Sequence, residues 1–274
     1  MKVAILDLNN NVPNRGIGYI KHLVETHSAG FSFDLFDVRH KNEIPGLDYD
    51  IYISSGGPGS PFDYTGGWDK KYFEWIEAIW QHNLKIKTEK PKFVFLICHS
   101  FQLACLYFKI GKISLRSHGQ SFGTFPCYRT PQGARDKYLK LLDNPFWIAD
   151  FRDWQVINAD RNDVNEKGFK ILAQEPIQKN NEPRAIMAIR FSETMFGTQF
   201  HPEADADGMS VYFSDPIRQE TVTKNFGAKK YNQMITDLND ANKIQKTFKT
   251  LLPTFLNEAA NANDPILNPY SHSR

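Results

Sequence analysis

The sequence has no long apolar run. Nothing in its 274 residues approaches the roughly 20 consecutive apolar positions that a membrane-spanning helix needs, so no membrane partner is expected. It also lacks a block of one charge. Its 33 Lys and Arg are dispersed among 31 Asp and Glu, which argues against a nucleic-acid partner and favours small neutral or zwitterionic ligands. Cysteine is scarce: Cys98, Cys105 and Cys127 are odd in number, at spacings that match no zinc or disulfide framework, and they point to a reducing compartment without a metal. The apolar start, Val3 to Leu6, is too short for a signal segment and closes on Asp7, so it reads as a first strand. A cytoplasmic, unanchored protein is the expectation. No internal repeat, low-complexity block or shift in composition marks a second domain.

With 41% hydrophobic positions, the chain has enough apolar material for one sizeable core. In the first half, short apolar runs at Val3 to Asp7, Ser32 to Val38, Tyr49 to Ser54 and Phe93 to Ile97 alternate with segments of helical period at Gly18 to His27 and Asp69 to Leu84. That alternation predicts a parallel sheet wrapped by helices. From Ser121 the strands follow one another over short turns, at Phe122 to Arg129, Phe146 to Phe151, Trp154 to Asn158, Lys170 to Ala173, Ala185 to Phe191 and Met195 to Phe200. This predicts an antiparallel extension. The fold class expected is therefore α/β: a flavodoxin-like open sheet, mostly parallel with an antiparallel extension, helices on both faces. Residues 1–228 are read as one domain, 229–262 as a helical extension packed on it and 263–274 as a flexible tail. Pro253 should kink or end the last helix.

Three segments carry chemistry. In Phe93-Val94-Phe95-Leu96-Ile97-Cys98-His99-Ser100-Phe101-Gln102 a buried-strand run meets a helical pattern at Cys98, the layout of a nucleophile elbow, with a helix N-terminus under the thiol that favours its anionic form. In Gln199-Phe200-His201-Pro202-Glu203 the two-residue spacing lets His201 and Glu203 face one site, as a base and the carboxylate that orients it. In Ser54-Ser55-Gly56-Gly57-Pro58-Gly59, glycines after a strand let backbone N–H groups approach a developing oxyanion. Taken singly, a structural cysteine, a surface histidine and a plain turn are the ordinary readings. All three follow predicted strands, and together they make one site.

In chain order, glycine loop, then elbow, then His-Pro-Glu, the segments resemble the class I glutamine amidotransferase family over about the first 205 residues, in the manner of the amidotransferase domain of GMP synthase. The resemblance implies Cys98 as nucleophile, His201 as general base and acid, Glu203 as its orienting carboxylate, the N–H groups of Gly57 and His99 as the oxyanion hole, and Gln102, Gly56 and Gly59 in substrate binding. It implies cleavage of the glutamine side-chain amide through a cysteinyl thioester without metal or cofactor. The ammonia would pass to a separate synthetase partner or be released, since no synthetase-type segment is present. Of Phe151-Arg152-Asp153-Trp154, only Asp153 matches a substrate-side motif of relatives.

Leu96 and Ser100 stand where the family has glycines, and a leucine must find room in the sheet or shift the cysteine. Two alternatives therefore stay open: a γ-glutamyl hydrolase or peptidase with the same triad, and a catalytically silent binding or regulatory member. The His99 side chain is expected on the helix surface, Trp68, Trp75 and Trp80 in the core, and the loop Asn9 to Gly16 as a plain connection.

Overall fold

The computed structural model describes residues 1–27, 30–85, 90–177 and 182–263. All but the first residue of the expected flexible tail lies outside them. In chain order the elements are β1 (Lys2–Asp7), α1 (Arg15–His27), β2 (Ser32–Asp37), α2 (Val38–Lys41), β3 (Ile51–Ser54), α3 (Trp68–Leu84), β4 (Phe93–Ile97), α4 (His99–Tyr107), β5 (Lys112–Leu115), β6 (Ser121–Arg129), β7 (Phe146–Arg152), β8 (Trp154–Ile157), α5 (Arg161–Glu166), β9 (Lys170–Gln174), β10 (Ile186–Arg190), β11 (Met195–Thr198), α6 (Ala206–Phe213), α7 (Pro216–Phe226), α8 (Ala228–Leu238) and α9 (Ile244–Asn263).

The main sheet runs β2-β1-β3-β4-β11-β10-β9-β6-β7. Its first five strands are parallel, and from β11 to β7 every pair is antiparallel. Strand β5, which the sequence pattern did not announce, pairs with β8 in a separate ribbon. The near-continuous apolar runs of β1, β3 and β4 follow from burial on both faces. Against one face pack α1, through Ile17, Ile20 and Val24, and α9, through Leu251, Leu252, Phe255 and Leu256. Against the other pack α3, with Trp68, Tyr72 and Trp75, and α4, with Phe101 and Leu103. A third cluster joins α6, α7 and α8 to β6 and β7 around Met209, Phe213, Val222, Met234 and Phe122.

Pro253 does not end the last helix, as the sequence suggests it might; it lies inside α9. The backbone bond a proline forfeits is outweighed here by tertiary packing, because Leu251, Leu252, Phe255, Leu256 and Ala259 on either side of it are fully buried. Chain order reverses about β1, which leads outward to β2 while β3 lies on its other side. In open α/β sheets a ligand crevice forms beyond the carboxyl ends of the strands at such a switch point. The ends of β1, β3, β4 and β11 converge there.

Candidate active site

The site begins with backbone geometry. Strand β4 is buried along its whole length and ends at Cys98, which has φ 50° and ψ −98° and forms the N-cap of α4. A non-glycine residue in that region costs about 1–3 kcal/mol and persists only when its surroundings over-determine it. They do so here. The Cys98 N–H donates to the carbonyl of Thr198 at 2.7 Å, and the Cys98 carbonyl accepts from Gln102 N–H at 3.0 Å. The thiol is thereby lifted above the sheet edge, 5% exposed, at the positive end of a helix.

The two departures at the elbow have physical answers. Leu96 is fully buried, and its cross-strand neighbours are Ser54 on β3 and Gly197 on β11. Two small partners give the leucine its room, so Cys98 stays on the elbow. Ser100 replaces the freedom of a glycine with hydrogen bonds: its hydroxyl accepts from Ile97 N–H at 2.8 Å and lies 2.7 Å from the Ser54 carbonyl, to which it donates. Serine thus ties the elbow to β3.

His201 follows β11 and is anchored by its N–H, which donates to the Ala149 carbonyl of β7 at 2.9 Å. Its ring Nδ1 lies 2.7 Å from Glu203 Oε1. A carboxylate only accepts, so Nδ1 carries the proton and Nε2 is left for the thiol. Burial disfavours the imidazolium, but Glu203, Cys98 and the ring's hydrogen bonds to both outweigh it and hold the His201 pKa well above the ordinary histidine value. Glu203 is itself buried, beside Gly16 at the start of α1. Such a set can pass a proton between thiol and imidazole while a carboxylate fixes the ring.

The glycine loop is shaped by close approach. A Cβ on Gly57 would stand 2.3 Å from the Leu8 carbonyl oxygen, and one on Gly56 would stand 2.8 Å from Cε1 of His201. Gly56 therefore makes room for the imidazole, while Gly57 and Gly59 line the cleft itself. His99, as the first residue of α4, has one of the N–H groups that a helix leaves without an intrahelical partner.

The His99 side chain is not on the helix surface. It is 1% exposed, hydrogen-bonded to the Gly57 backbone and 6.3 Å from the Trp68 ring, and burial together with the Arg39 charge pushes its pKa down to about 3. A neutral histidine thus braces the glycine loop from below. Buried Arg39 braces the same loop from the side, donating to the carbonyls of Pro58 at 2.6 Å and Leu8 at 3.3 Å. Trp68 and Trp75 are core residues, as expected, and burial pushes the Cys105 and Cys127 thiols up.

Several residues that the sequence left without a role meet at Cys98. The Gln199 amide Nε2 donates to Sγ at 3.7 Å. Its orientation is set by Gln102, whose own Nε2 donates to Gln199 Oε1 at 3.2 Å and to the Trp154 carbonyl at 3.0 Å. Gln102 reaches the cleft, but its donor hydrogens are directed to protein acceptors. Arg152 lies fully buried at the back of the cleft; burial opposes its charge, and Asp150 and Glu175, with a contribution from Cys98, hold it protonated. Asp153 is exposed on the cleft wall. The loop Asn9 to Gly16 is more than a connection, since Asn9, Val12, Pro13, Asn14, Arg15 and Gly16 line one side of the same cleft, which encloses about 720 Å³. Among the described residues no three His, Cys, Asp or Glu converge as a metal site requires, and no helix is long and apolar enough to cross a membrane.

A family profile described as "Glutamine amidotransferase class-I" matches residues 17–215. No curated protein matches the chain. Among solved structures, the chain is similar to a glutamine amidotransferase from Thermotoga maritima, with 14% identity, 96% of this chain and 98% of that one covered, and a TM-score of 0.68. It is similar to a glutamine amidotransferase from Methylobacillus flagellatus, with 14% identity, 94% of each chain covered and a TM-score of 0.60. It is also similar to a GMP synthase-type protein from Thermoplasma acidophilum, with 16% identity, 75% of this chain and 85% of that one covered, and a TM-score of 0.51. At these identities the likeness is one of fold, with the mixed sheet and its flanking helices in common.

Proposed function

This chain belongs to the class-I glutamine amidotransferase family, and on that premise we propose that it hydrolyses the side-chain amide of glutamine through a thioester on Cys98. One observation carries the reading: His201, hydrogen-bonded to Glu203 at 2.7 Å, lies beside a thiol raised on an elbow of positive φ. His201 takes the thiol proton, and the sulfur attacks the γ-carbonyl carbon. The N–H groups of Gly57 and His99 receive the charge that develops on oxygen, where a lost donor typically costs 10²- to 10³-fold in kcat. As the C–N bond breaks, His201 returns the proton to nitrogen and ammonia leaves. Water, deprotonated by the same imidazole, attacks the thioester; the C–S bond breaks and glutamate departs. The ammonia passes to a separate synthetase partner or to solvent.

The seating of Leu96 between Ser54 and Gly197 supports an active elbow over a silent member of the fold. The test is release of glutamate and ammonia from glutamine by the purified chain and by Cys98→Ala. Wild type should turn over and the variant should lose about 10⁴-fold or more. Equal inactivity of both, with no labelling of Cys98 by a glutamine-analogue electrophile, sinks the reading.

A further inference from the structure

The hydrolysis of free glutamine leaves much of the cleft unused. Glutamine has ten non-hydrogen atoms; even at the ~30 Å³ that a water molecule occupies in the liquid, they fill under half of about 720 Å³. The two sides of the cleft differ in chemistry. Toward Gln102, the wall is formed by Gly59, Asp153 and Trp154, with Phe62 edge-on to the Trp154 ring at 5.5 Å. On the other side it is aromatic. The Phe151 ring lies 6.0 Å from the His201 ring, 5.1 Å from Phe122 and 6.4 Å from Phe213. This wall ends at Tyr212, over whose ring the guanidinium carbons of Arg15 and Arg218 lie at 4.7 and 3.9 Å. Asp215 lies 3.6 Å from Arg218, so two cations share that end with one nearby carboxylate.

Reaction geometry decides which part of a substrate meets which wall. His201 must deliver a proton to the leaving nitrogen, so the leaving group departs past the imidazole. Phe151 packs against that ring and opens the aromatic wall. Ammonia makes no use of such a surface, whereas an amine carrying a large apolar side chain covers it. A carboxylate on the same amine reaches the arginines, whose planar guanidinium groups are suited to carboxylates.

We propose that the cleft is built for a γ-glutamyl amide whose leaving amine is an aromatic or large aliphatic amino acid. Its side chain lies on Phe122, Phe151 and Phe213, and its carboxylate meets Arg15 and Arg218. Water adds across the γ-amide bond, and glutamate and the free amino acid are the products. This rests on the reading of Cys98 as nucleophile and deepens it by making glutamine the smallest amide the site cleaves and the bulky γ-glutamyl amide the one it prefers.

The experiment compares kcat/KM for glutamine, γ-glutamyl-alanine, γ-glutamyl-phenylalanine and γ-glutamyl-phenylalaninamide. The phenylalanine peptide should exceed both the alanine peptide and glutamine by about 10- to 200-fold, the range that apolar pocket contacts supply, and should exceed its own amide by about 10-fold. In Arg15→Gln/Arg218→Gln, whose side chains lie outside the core, acid and amide should approach parity. Glutamine or the alanine peptide cleaved as fast as the phenylalanine peptide overturns the aromatic subsite and leaves the Cys98 chemistry standing. An acid-to-amide ratio unchanged in the arginine variant overturns the carboxylate assignment. No cleavage of any substrate, with Cys98 inert to a glutamine-analogue electrophile, removes the reading beneath it as well.

Discussion

The two halves of the sheet serve the site by different physical means. The parallel half, β1 to β4, works through backbone placement: a positive-φ residue at Cys98, a serine that hydrogen-bonds the elbow, and two glycines that admit a carbonyl and an imidazole at distances where no Cβ fits. The antiparallel half, with the helices that cover it, works through large side chains: Phe122, Phe151 and Phe213 as a wall, and Arg152 held by Asp150 and Glu175 as a buried cation. Backbone placement tolerates almost no substitution, whereas a wall of side chains can be re-cut residue by residue.

The contrast can be tested in order of expected size. Glu203→Gln removes the charge that fixes and supports the His201 imidazolium, and kcat should fall 10²- to 10⁴-fold. With the Glu203 charge gone, the raised His201 pKa should come down, so the alkaline limb of kcat/KM against pH should move to lower pH in the variant. Gly57→Ala comes next: a methyl 2.3 Å from the Leu8 carbonyl must displace the loop, and kcat should fall about 10²- to 10³-fold with KM for a glutamine-type substrate rising less. An unchanged kcat would place the oxyanion elsewhere.

Ser100→Ala removes the hydroxyl that accepts from the buried Ile97 N–H and donates to the Ser54 carbonyl, a loss of about 0.5–1.5 kcal/mol in unfolding free energy, measured by urea titration. The last effect concerns His99 and is near zero at neutral pH, growing only on acidification. Its folded pKa of about 3 lies below the unfolded value near 6.5, so below pH 6.5 the unfolded state binds a proton that the folded state refuses, and stability falls as pH falls toward 3. That one group contributes up to ~1.4 kcal/mol per pH unit within the window. His99→Asn should flatten this part of a plot of unfolding free energy against pH, and identical slopes in both proteins would contradict the burial of a neutral ring.

How much of this was legible in the sequence depended on the range of the interactions. The elbow was legible because its signal is local, an apolar strand followed at once by helical spacing, and His201 and Glu203 were legible because two residues apart in extended backbone means one face. The parallel core and antiparallel extension followed from the spacing of strands. What failed was set by distant chain. His99 occupies a helical position that periodicity leaves open, and its burial comes from Trp68 and the loop at Gly57, which no helical period reports. Gln199 stands in the same segment as His201 and Glu203, but only the register of β11 against β4 brings its amide toward Sγ. Arg39 and Arg152 read as ordinary charges among 33 basic residues, and apart from Asp150 the partners that accompany their burial, such as Pro58, Glu175 and Met187, lie 19 to 35 positions away. An end to the helix at Pro253 was expected from local propensity and did not follow, because a helix face buried in the core continues past it.

The pairing of Leu96 with Gly197 has a consequence for descent. Leu96 belongs to the same core cluster as Phe101 and Phe191, whose rings press against the place that a side chain at Gly197 would take. Restoring glycine at 96 alone empties a packed core, and enlarging 197 alone overfills it. Each change made alone disturbs the packing on that face, so the elbow resists stepwise change at these two positions. Related chains that carry a bulky residue before the nucleophile should keep the smallest residue on the neighbouring strand, and the two positions should change together.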